Sequence, residues 1–185
     1  MKNISIISSS VRNGRNSHRV ALYFKNYLEE NQIANAKIID LKTYDFPIFE
    51  ERFKFIEQPT EATLAFAEEV KNADGIIVVT PEYNGGYPAS LKNVIDLLYA
   101  EWKRKPVGIA TVSAGAFAGS QVITSLQFTL WKIGALVVPA MFPVAMIDKT
   151  FDENGYPSDK EATDKKAKTF VAELTWWIEA KLKME

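Results

Sequence analysis

The sequence predicts an α/β protein whose open, doubly wound sheet of about five parallel strands is covered by helices on both faces. Short apolar runs alternate with amphipathic segments of helical spacing from one end of the chain to the other. Residues 76–79 are continuously β-branched, as is typical of a strand buried under helices on both sides. No repeat, linker or low-complexity segment interrupts the 185 residues, so we expect a single domain, 1–185.

Each predicted element follows from a local pattern. The strands are predicted at 4–8, 36–41, 76–79 and 107–112, with a fifth that begins at 135–138. The helices are predicted to begin at Asn16 or Ser17, at 59–60, at Pro88, at Ser120 and near Asp159, the last running to about Lys181. Five parallel strands joined in this way favour the order 2-1-3-4-5.

Composition excludes several kinds of chemistry. The chain has no cysteine and one histidine, His18, which excludes disulfides, thiolate nucleophiles and histidine-metal clusters. A formal net charge of −1 argues against nucleic acid or an anionic membrane as a partner. No apolar stretch approaches the roughly 20 residues of a membrane helix. We therefore expect a soluble, cytoplasmic protein that borrows a cofactor if it is an enzyme.

Three loops are predicted to form one site. In a sheet of this order, ligands bind beyond the carboxyl ends of the strands, where the strand order reverses between strands one and three. The loops at that position are 9–17, 81–87 and 113–119. All three are rich in small, polar or glycine residues, and this coincidence is the main argument for a binding site.

The first loop favours a phosphate. It leads into a helix N-terminus, carries several serine hydroxyls and contains Arg12 and Arg15, which supply positive charge and forked donors. A capped loop with solvated arginines is the alternative. The loop lacks the Walker pattern and G-x-G-x-x-G. It also lacks the acidic pair of a response-regulator receiver, so a receiver is disfavoured.

The other two loops favour a flat ligand. Tyr83 and Tyr87 offer planar surfaces, and Gly85 with Gly86 allows close backbone approach, although a simple Pro/Gly turn would have the same composition. Residues 113–119 are small enough to lie against a ring edge, and a plain strand-to-helix turn is the alternative there.

These segments resemble the NADPH-dependent FMN reductase family, which includes azo-, quinone- and chromate-reducing members. The specific signal is Pro81-Glu82-Tyr83-Asn84-Gly85 leading into the helix Leu91-Lys92-Asn93-Val94-Ile95-Asp96. Ser10-Val11-Arg12 with Arg15 and Ser17 adds to it. The chain departs from the family at Ser9, where glycine is usual, and in the third loop, where Ser-Pro-Gly is more common.

The resemblance implies a flavodoxin-like fold and a set of FMN-binding residues. The FMN phosphate would be held by Ser10, Arg12, Arg15, Asn16 and Ser17. The isoalloxazine ring would be lined, mostly through backbone atoms, by Pro81, Glu82, Tyr83, Asn84 and Gly85. Its other side would be approached by Ser113, Ala114 and Gly115.

The resemblance also implies an activity. Hydride would pass from a reduced nicotinamide nucleotide, NADPH or NADH, to FMN and then to a small acceptor such as a flavin, quinone or azo compound, with no side chain acting as catalytic acid or base. The alternative is a flavodoxin-type electron carrier with bound FMN and no nicotinamide site. The near-neutral charge favours the enzyme.

Family members suggest a homodimer or homotetramer. The aromatic segment 44–55 resembles part of a subunit interface near the flavin, although packing onto its own domain would also explain it. His18 follows the first loop and could either assist an anion or be a surface position of the helix.

Overall fold

The five predicted strands form one parallel sheet in the order β2-β1-β3-β4-β5, as predicted. The computed structural model describes residues 1–184. The strands are β1 (Lys2–Ser8), β2 (Ala34–Asp40), β3 (Gly75–Pro81), β4 (Pro106–Val112) and β5 (Leu136–Val144). Every pairing in the sheet is parallel.

Helices connect successive strands and cover both faces of the sheet. They are α1 (His18–Glu30), α2 (Leu41–Tyr44), α3 (Glu61–Asn72), α4 (Ala89–Leu97), α5 (Val122–Lys132), α6 (Ile147–Thr150) and α7 (Lys160–Met184). Short 3₁₀ turns lie at Phe53–Phe55 and Ala100–Trp102. No helix within the part of the chain that the structure describes is long and apolar enough to cross a membrane.

Two apolar cores flank the sheet. On one side, α1 and α7 pack Phe24 and Phe170 against Phe142 of β5, with ring centroids 4.8–5.9 Å apart. On the other side, α3, α4 and α5 bury residues such as Phe66 and Leu91. Burial on both faces explains why β3 and β4 consist mostly of apolar residues.

The observed boundaries differ from the predicted ones in informative places. Leu41 was predicted to end the second strand but begins α2, because the Asp40 side chain accepts a hydrogen bond from the Lys42 N–H and caps that helix. Ser17 occupies the cap position of α1, as the sequence suggested, but its side chain makes no capping hydrogen bond. Pro88 precedes α4 instead of opening it.

Candidate functional site

The three predicted loops meet at the carboxyl edge of the sheet and line one cleft. Its first-loop residues are Ser10, Arg12, Arg15, Asn16 and Ser17. Its remaining residues are Pro81, Glu82, Tyr83, Val112, Ser113, Ala114 and Ile147. Parallel strands bring their carboxyl ends to the same edge, so the topology accounts for this convergence.

Side-chain contacts join the first loop to the second. The hydroxyls of Ser10 and Tyr83 are hydrogen-bonded at 2.7 Å. The Arg12 guanidinium lies 5.8 Å from the centre of the Tyr83 ring, within cation–π range. The Ser90 hydroxyl on α4 donates to the Ser9 carbonyl at 2.6 Å. These contacts between side chains and backbone fix the wall of the cleft.

The second loop is a tight hairpin turn. Tyr83 and Gly86 exchange both backbone hydrogen bonds, at 2.8 and 3.0 Å, around Asn84 and Gly85. Asn84 and Gly85 both have positive φ, 52° and 79°, as a type I′ turn requires. Gly85 is therefore needed for the turn itself. Both residues lie at the hairpin tip, outside the lining of the cleft.

The third loop is held by backbone bonds to the segment after β5. The Ile147 N–H donates to the Ser113 carbonyl at 3.1 Å, and the Met146 N–H donates to the Gly115 carbonyl at 3.0 Å. Glu82 of the second loop accepts a hydrogen bond from the Gln121 N–H at 3.1 Å, just before α5. Ala114 lines the cleft, whereas Gly115 does not belong to its lining.

A half-buried charge cluster lies behind the first loop. Arg15 makes a two-pronged ion pair with Asp40, and its Nη1 also donates to the Ser10 carbonyl at 2.7 Å. Burial alone would raise the pKa of Asp40, but hydrogen bonds from Arg15 and the Lys42 N–H, with the Arg15 charge, lower it below its ordinary value. Both arginines were predicted to supply charge to a phosphate, yet Arg15 is already paired.

His18 lies beside this cluster. Its Nδ1 is 3.0 Å from the Ser8 hydroxyl and 3.9 Å from an Asp40 carboxylate oxygen. Burial and the positive charge of Arg15 lower the pKa of His18, with Asp40 opposing them. The lowered pKa favours the neutral imidazole, which is hydrogen-bonded within the fold.

Two buried hydroxyls in the first loop have no partner. Ser9 is 0% exposed and Ser17 is 4% exposed, and neither Oγ makes a hydrogen bond. A buried unpaired hydroxyl costs about 1–3 kcal/mol, so its presence in a fold requires an explanation such as a bound ligand. Ser17 lines the cleft at the N-terminus of α1, where backbone donors favour an anion. These features fit the phosphate of FMN.

Sequence reasoning missed some residues of the site. Val112 and Ile147 line the cleft and give it an apolar wall. Val112 ends a predicted strand, but the contribution of the chain after β5 carries no sequence motif. Asp40 was also missed, although its position at the end of the second strand placed it at this edge of the sheet.

The fold and the cleft define a flavodoxin-like α/β protein with an anion-binding loop and a flat, partly apolar wall beside it. The chain belongs to the NADPH-dependent FMN reductase family, whose sequence pattern matches residues 2–149. It is thus an FMN-dependent oxidoreductase that takes electrons from a reduced nicotinamide nucleotide.

Relatives of known activity cover most of the chain. The NAD(P)H-dependent FMN reductase LOT6 of Saccharomyces cerevisiae is 35% identical over 69% of this chain and 72% of its own length. A quinone reductase of Pseudomonas putida is 30% identical over 95% of this chain and 94% of its own.

Solved structures share the fold. FerB, a flavoenzyme NAD(P)H:(acceptor) oxidoreductase from Paracoccus denitrificans, superposes with a TM-score of 0.78 over 97% of this chain and 98% of its own, at 21% identity. A flavodoxin from an archaeon superposes with a TM-score of 0.55 over 95% of this chain and 99% of its own, at 13% identity.

Proposed function

We propose that residues 1–185 act as one FMN-binding domain that reduces a quinone, or another small planar acceptor, with NAD(P)H. The observation that carries this proposal is the cleft itself, which is lined by residues of all three loops and includes Ser17, whose buried hydroxyl has no partner. The alignment with the quinone reductase of Pseudomonas putida over 95% of the chain supports the choice of acceptor.

The first loop forms the proposed phosphate subsite. Ser10, Arg12, Arg15, Asn16 and Ser17 all line this part of the cleft. The N-terminus of α1 adds backbone donors, and Arg12 is the exposed cation of the loop. A phosphate there would give the Ser17 hydroxyl its missing partner, which accounts for a buried polar group that the folded chain leaves unpaired.

The second and third loops form the proposed ring subsite. Pro81, Glu82 and Tyr83 line one wall, and Ser113 with Ala114 lines the other. Asn84 and Gly85 would act by shaping the turn that carries Tyr83, and Gly115 would act through its carbonyl, which receives the Met146 N–H.

The chain's part in the reaction is to bind and orient. Bound FMN supplies a site that accepts hydride from the nicotinamide and delivers it to the acceptor. We assign no side chain as a catalytic acid or base. Small residues at 114–116 are exposed, so they leave room for a flat substrate that is selected by stacking.

Anaerobic stopped-flow absorbance near 450 nm tests the proposal. FMN-loaded protein is mixed with NADPH or NADH and then with a quinone. We expect rapid bleaching by at least one donor and rapid return of the absorbance with the quinone. Bleaching without reoxidation by the quinone would contradict the proposal that a quinone is the electron acceptor. Binding of FMN without bleaching by either donor would leave an electron carrier, and failure to bind FMN would refute the site.

We also propose that the enzyme works in the cytoplasm as a homodimer joined through the aromatic segment 44–55. Phe46 packs against Phe66, and the Asn93 amide holds the segment by bonding to the Phe49 N–H and the Pro47 carbonyl, both at 2.6 Å. The same segment leaves Ile48 87% exposed beside an apolar groove. A subunit interface would cover that surface.

Sedimentation velocity tests the interface. The charge introduced by Ile48→Glu would be buried in the dimer, so this variant is expected to sediment as a monomer. Trp131→Glu places the same charge at an exposed apolar residue of α5, outside the groove, and is expected to leave the dimer intact. An Ile48→Glu variant that stays dimeric at micromolar concentration would contradict the proposed face.

A further inference from the structure

Arg15 and Asp40 form a half-buried, two-pronged ion pair beside the phosphate subsite. Both terminal nitrogens of Arg15 bond to the two oxygens of Asp40, and the side chains are 13% and 19% exposed. A two-pronged arginine–carboxylate pair fixes orientation as well as charge. The fork of Arg15 is therefore occupied by Asp40.

The anchor of this pair is rigid. Asp40 is the last residue of β2 and pairs in register with Ser8 of β1, so its backbone belongs to the sheet. One oxygen of its carboxylate also accepts the Lys42 N–H at 3.0 Å. Because the strand pairing and the helix cap hold the Asp40 carboxylate in place, the ion pair also fixes the orientation of the Arg15 guanidinium.

The other end of the bridge lies in the loop. The Nη1 of Arg15 donates to the Ser10 carbonyl at 2.7 Å. The Ser10 hydroxyl in turn meets the Tyr83 hydroxyl. The chain of contacts therefore runs from the sheet at Asp40, through Arg15, to the residue that joins the phosphate loop to the ring wall.

The distribution of charge in the first loop also supports different roles for the two arginines. The pair of Arg15 and Asp40 is neutral as a unit, which leaves Arg12 as the cation of residues 9–17 without a carboxylate partner among the ion pairs of the described chain. Arg12 is exposed at the cleft and lies near the Tyr83 ring. Electrostatic attraction of a phosphate then falls to Arg12 and the helix N-terminus.

We infer that Asp40 is a positioning residue for the phosphate subsite: it holds Arg15, and Arg15 fixes the Ser10 end of the loop instead of contacting the phosphate. This inference rests on the proposed function, because it assumes that the loop binds the phosphate of FMN. Arg12 then attracts the phosphate and Arg15 positions the loop. The spacing of the two arginines in the sequence does not distinguish these roles.

The variant Asp40→Asn distinguishes the two roles by the sign of its effect. If Arg15 were a phosphate ligand, removing the negative charge beside it would leave FMN binding unchanged or tighter. If Asp40 positions the loop, the same change weakens FMN binding about tenfold or more, as expected when a preorganised site loses its support. The dissociation constant is measured by quenching of FMN fluorescence on titration with apoprotein.

Three further titrations complete the test. Glu161→Gln removes one negative charge from an exposed residue of α7, outside the cleft lining and the segment 44–55, and is expected to change the FMN dissociation constant less than about twofold. Arg15→Lys keeps the charge but loses the fork, so we expect it to weaken FMN binding nearly as much as Asp40→Asn. Riboflavin, which lacks the phosphate, is expected to bind all variants alike.

The outcomes separate this inference from the proposed function. Tighter or unchanged FMN binding by Asp40→Asn, or full binding by Arg15→Lys, would overturn the positioning role. Wild-type protein that fails to bind FMN would overturn the phosphate subsite itself. Thermal unfolding of each apoprotein shows whether a variant is folded. If Asp40→Asn does not fold, full FMN binding by Arg15→Lys would still overturn the inference.

Discussion

The first and third loops lie at the same edge of the sheet but are built in opposite ways. The first loop, residues 9–17, is held by side chains, with an ion pair at Arg15 and a hydroxyl pair at Ser10. The third loop, residues 113–119, is held mainly by backbone bonds to the segment after β5 and exposes small residues. A polar, side-chain-built loop suits a permanently bound phosphate, whereas a small, open loop suits substrates that come and go.

The largest expected effect is the loss of FMN affinity on substitution of Ser17 in the first loop. Its hydroxyl is unpaired in the folded chain, so Ser17→Ala leaves the stability of the apoprotein unchanged or slightly higher. A hydrogen bond to a charged group contributes about 1.5–3 kcal/mol, so FMN binding should weaken about tenfold to a hundredfold. Fluorescence titration with FMN measures this change.

Ser9→Ala is the matched control for that prediction. Ser9 is equally buried and equally unpaired, but it does not belong to the lining of the cleft. We expect its FMN dissociation constant to equal that of the wild type. Equal losses in both variants would show that the effect comes from packing of the loop and not from contact with phosphate.

The next largest expected effect is a loss of stability on substitution of Gly119, whose backbone conformation shapes the third loop. Gly119 has φ +69°, and an added Cβ would lie 3.3 Å from the Thr111 Cβ. Gly119→Ala should therefore lower the free energy of unfolding by about 1–3 kcal/mol, as expected for a residue forced into the left-handed region. Urea denaturation of the apoprotein measures it.

Gly115→Ala is the control in the same loop. No heavy atom lies within 4 Å of the position where its Cβ would be built. Its unfolding free energy should stay within about 0.5 kcal/mol of the wild type. If both variants unfold alike, conformational strain does not explain the requirement for glycine at 119.

A third prediction concerns the pH dependence of stability, which should arise from the ion pair of the first loop and not from the third loop. The folded-state pKa of Asp40 lies below the ordinary 3.8, so the unfolded chain binds its proton first as the pH falls. The stabilisation is therefore complete above the ordinary pKa and is lost as the pH falls through the folded value. Urea titrations across this acid range should show a smaller decline of the unfolding free energy for Asp40→Asn than for the wild type.

The third loop provides the comparison for the pH prediction. Residues 113–119 contain no titratable side chain, so Gly115→Ala should keep the wild-type acid dependence. An acid dependence of Asp40→Asn identical to that of the wild type would mean that the pair with Arg15 does not stabilise the fold.

The sequence predicted what depends on local pattern and topology. Strand order and the meeting of the three loops follow from apolar periodicity and the rules of parallel sheets, and both are confirmed. The pairing of Arg15 with Asp40 spans 25 residues and depends on how β1 and β2 align, which no spacing rule gives. The apolar wall at Ile147 depends likewise on the path of the chain after β5.

The smallest expected effect concerns Phe117, the large side chain of the third loop. It is 84% exposed, so Phe117→Ser should leave stability and FMN binding almost unchanged. An exposed ring beside an open cleft can stack on a flat acceptor, and losing it should raise the KM for a hydrophobic quinone about two- to fivefold at constant kcat. Phe128→Ser on α5 removes an exposed ring outside the cleft lining and should leave the KM unchanged. A weaker FMN complex in Phe117→Ser would mean that side chains of the third loop hold the cofactor as well, which would remove the contrast between the two loops.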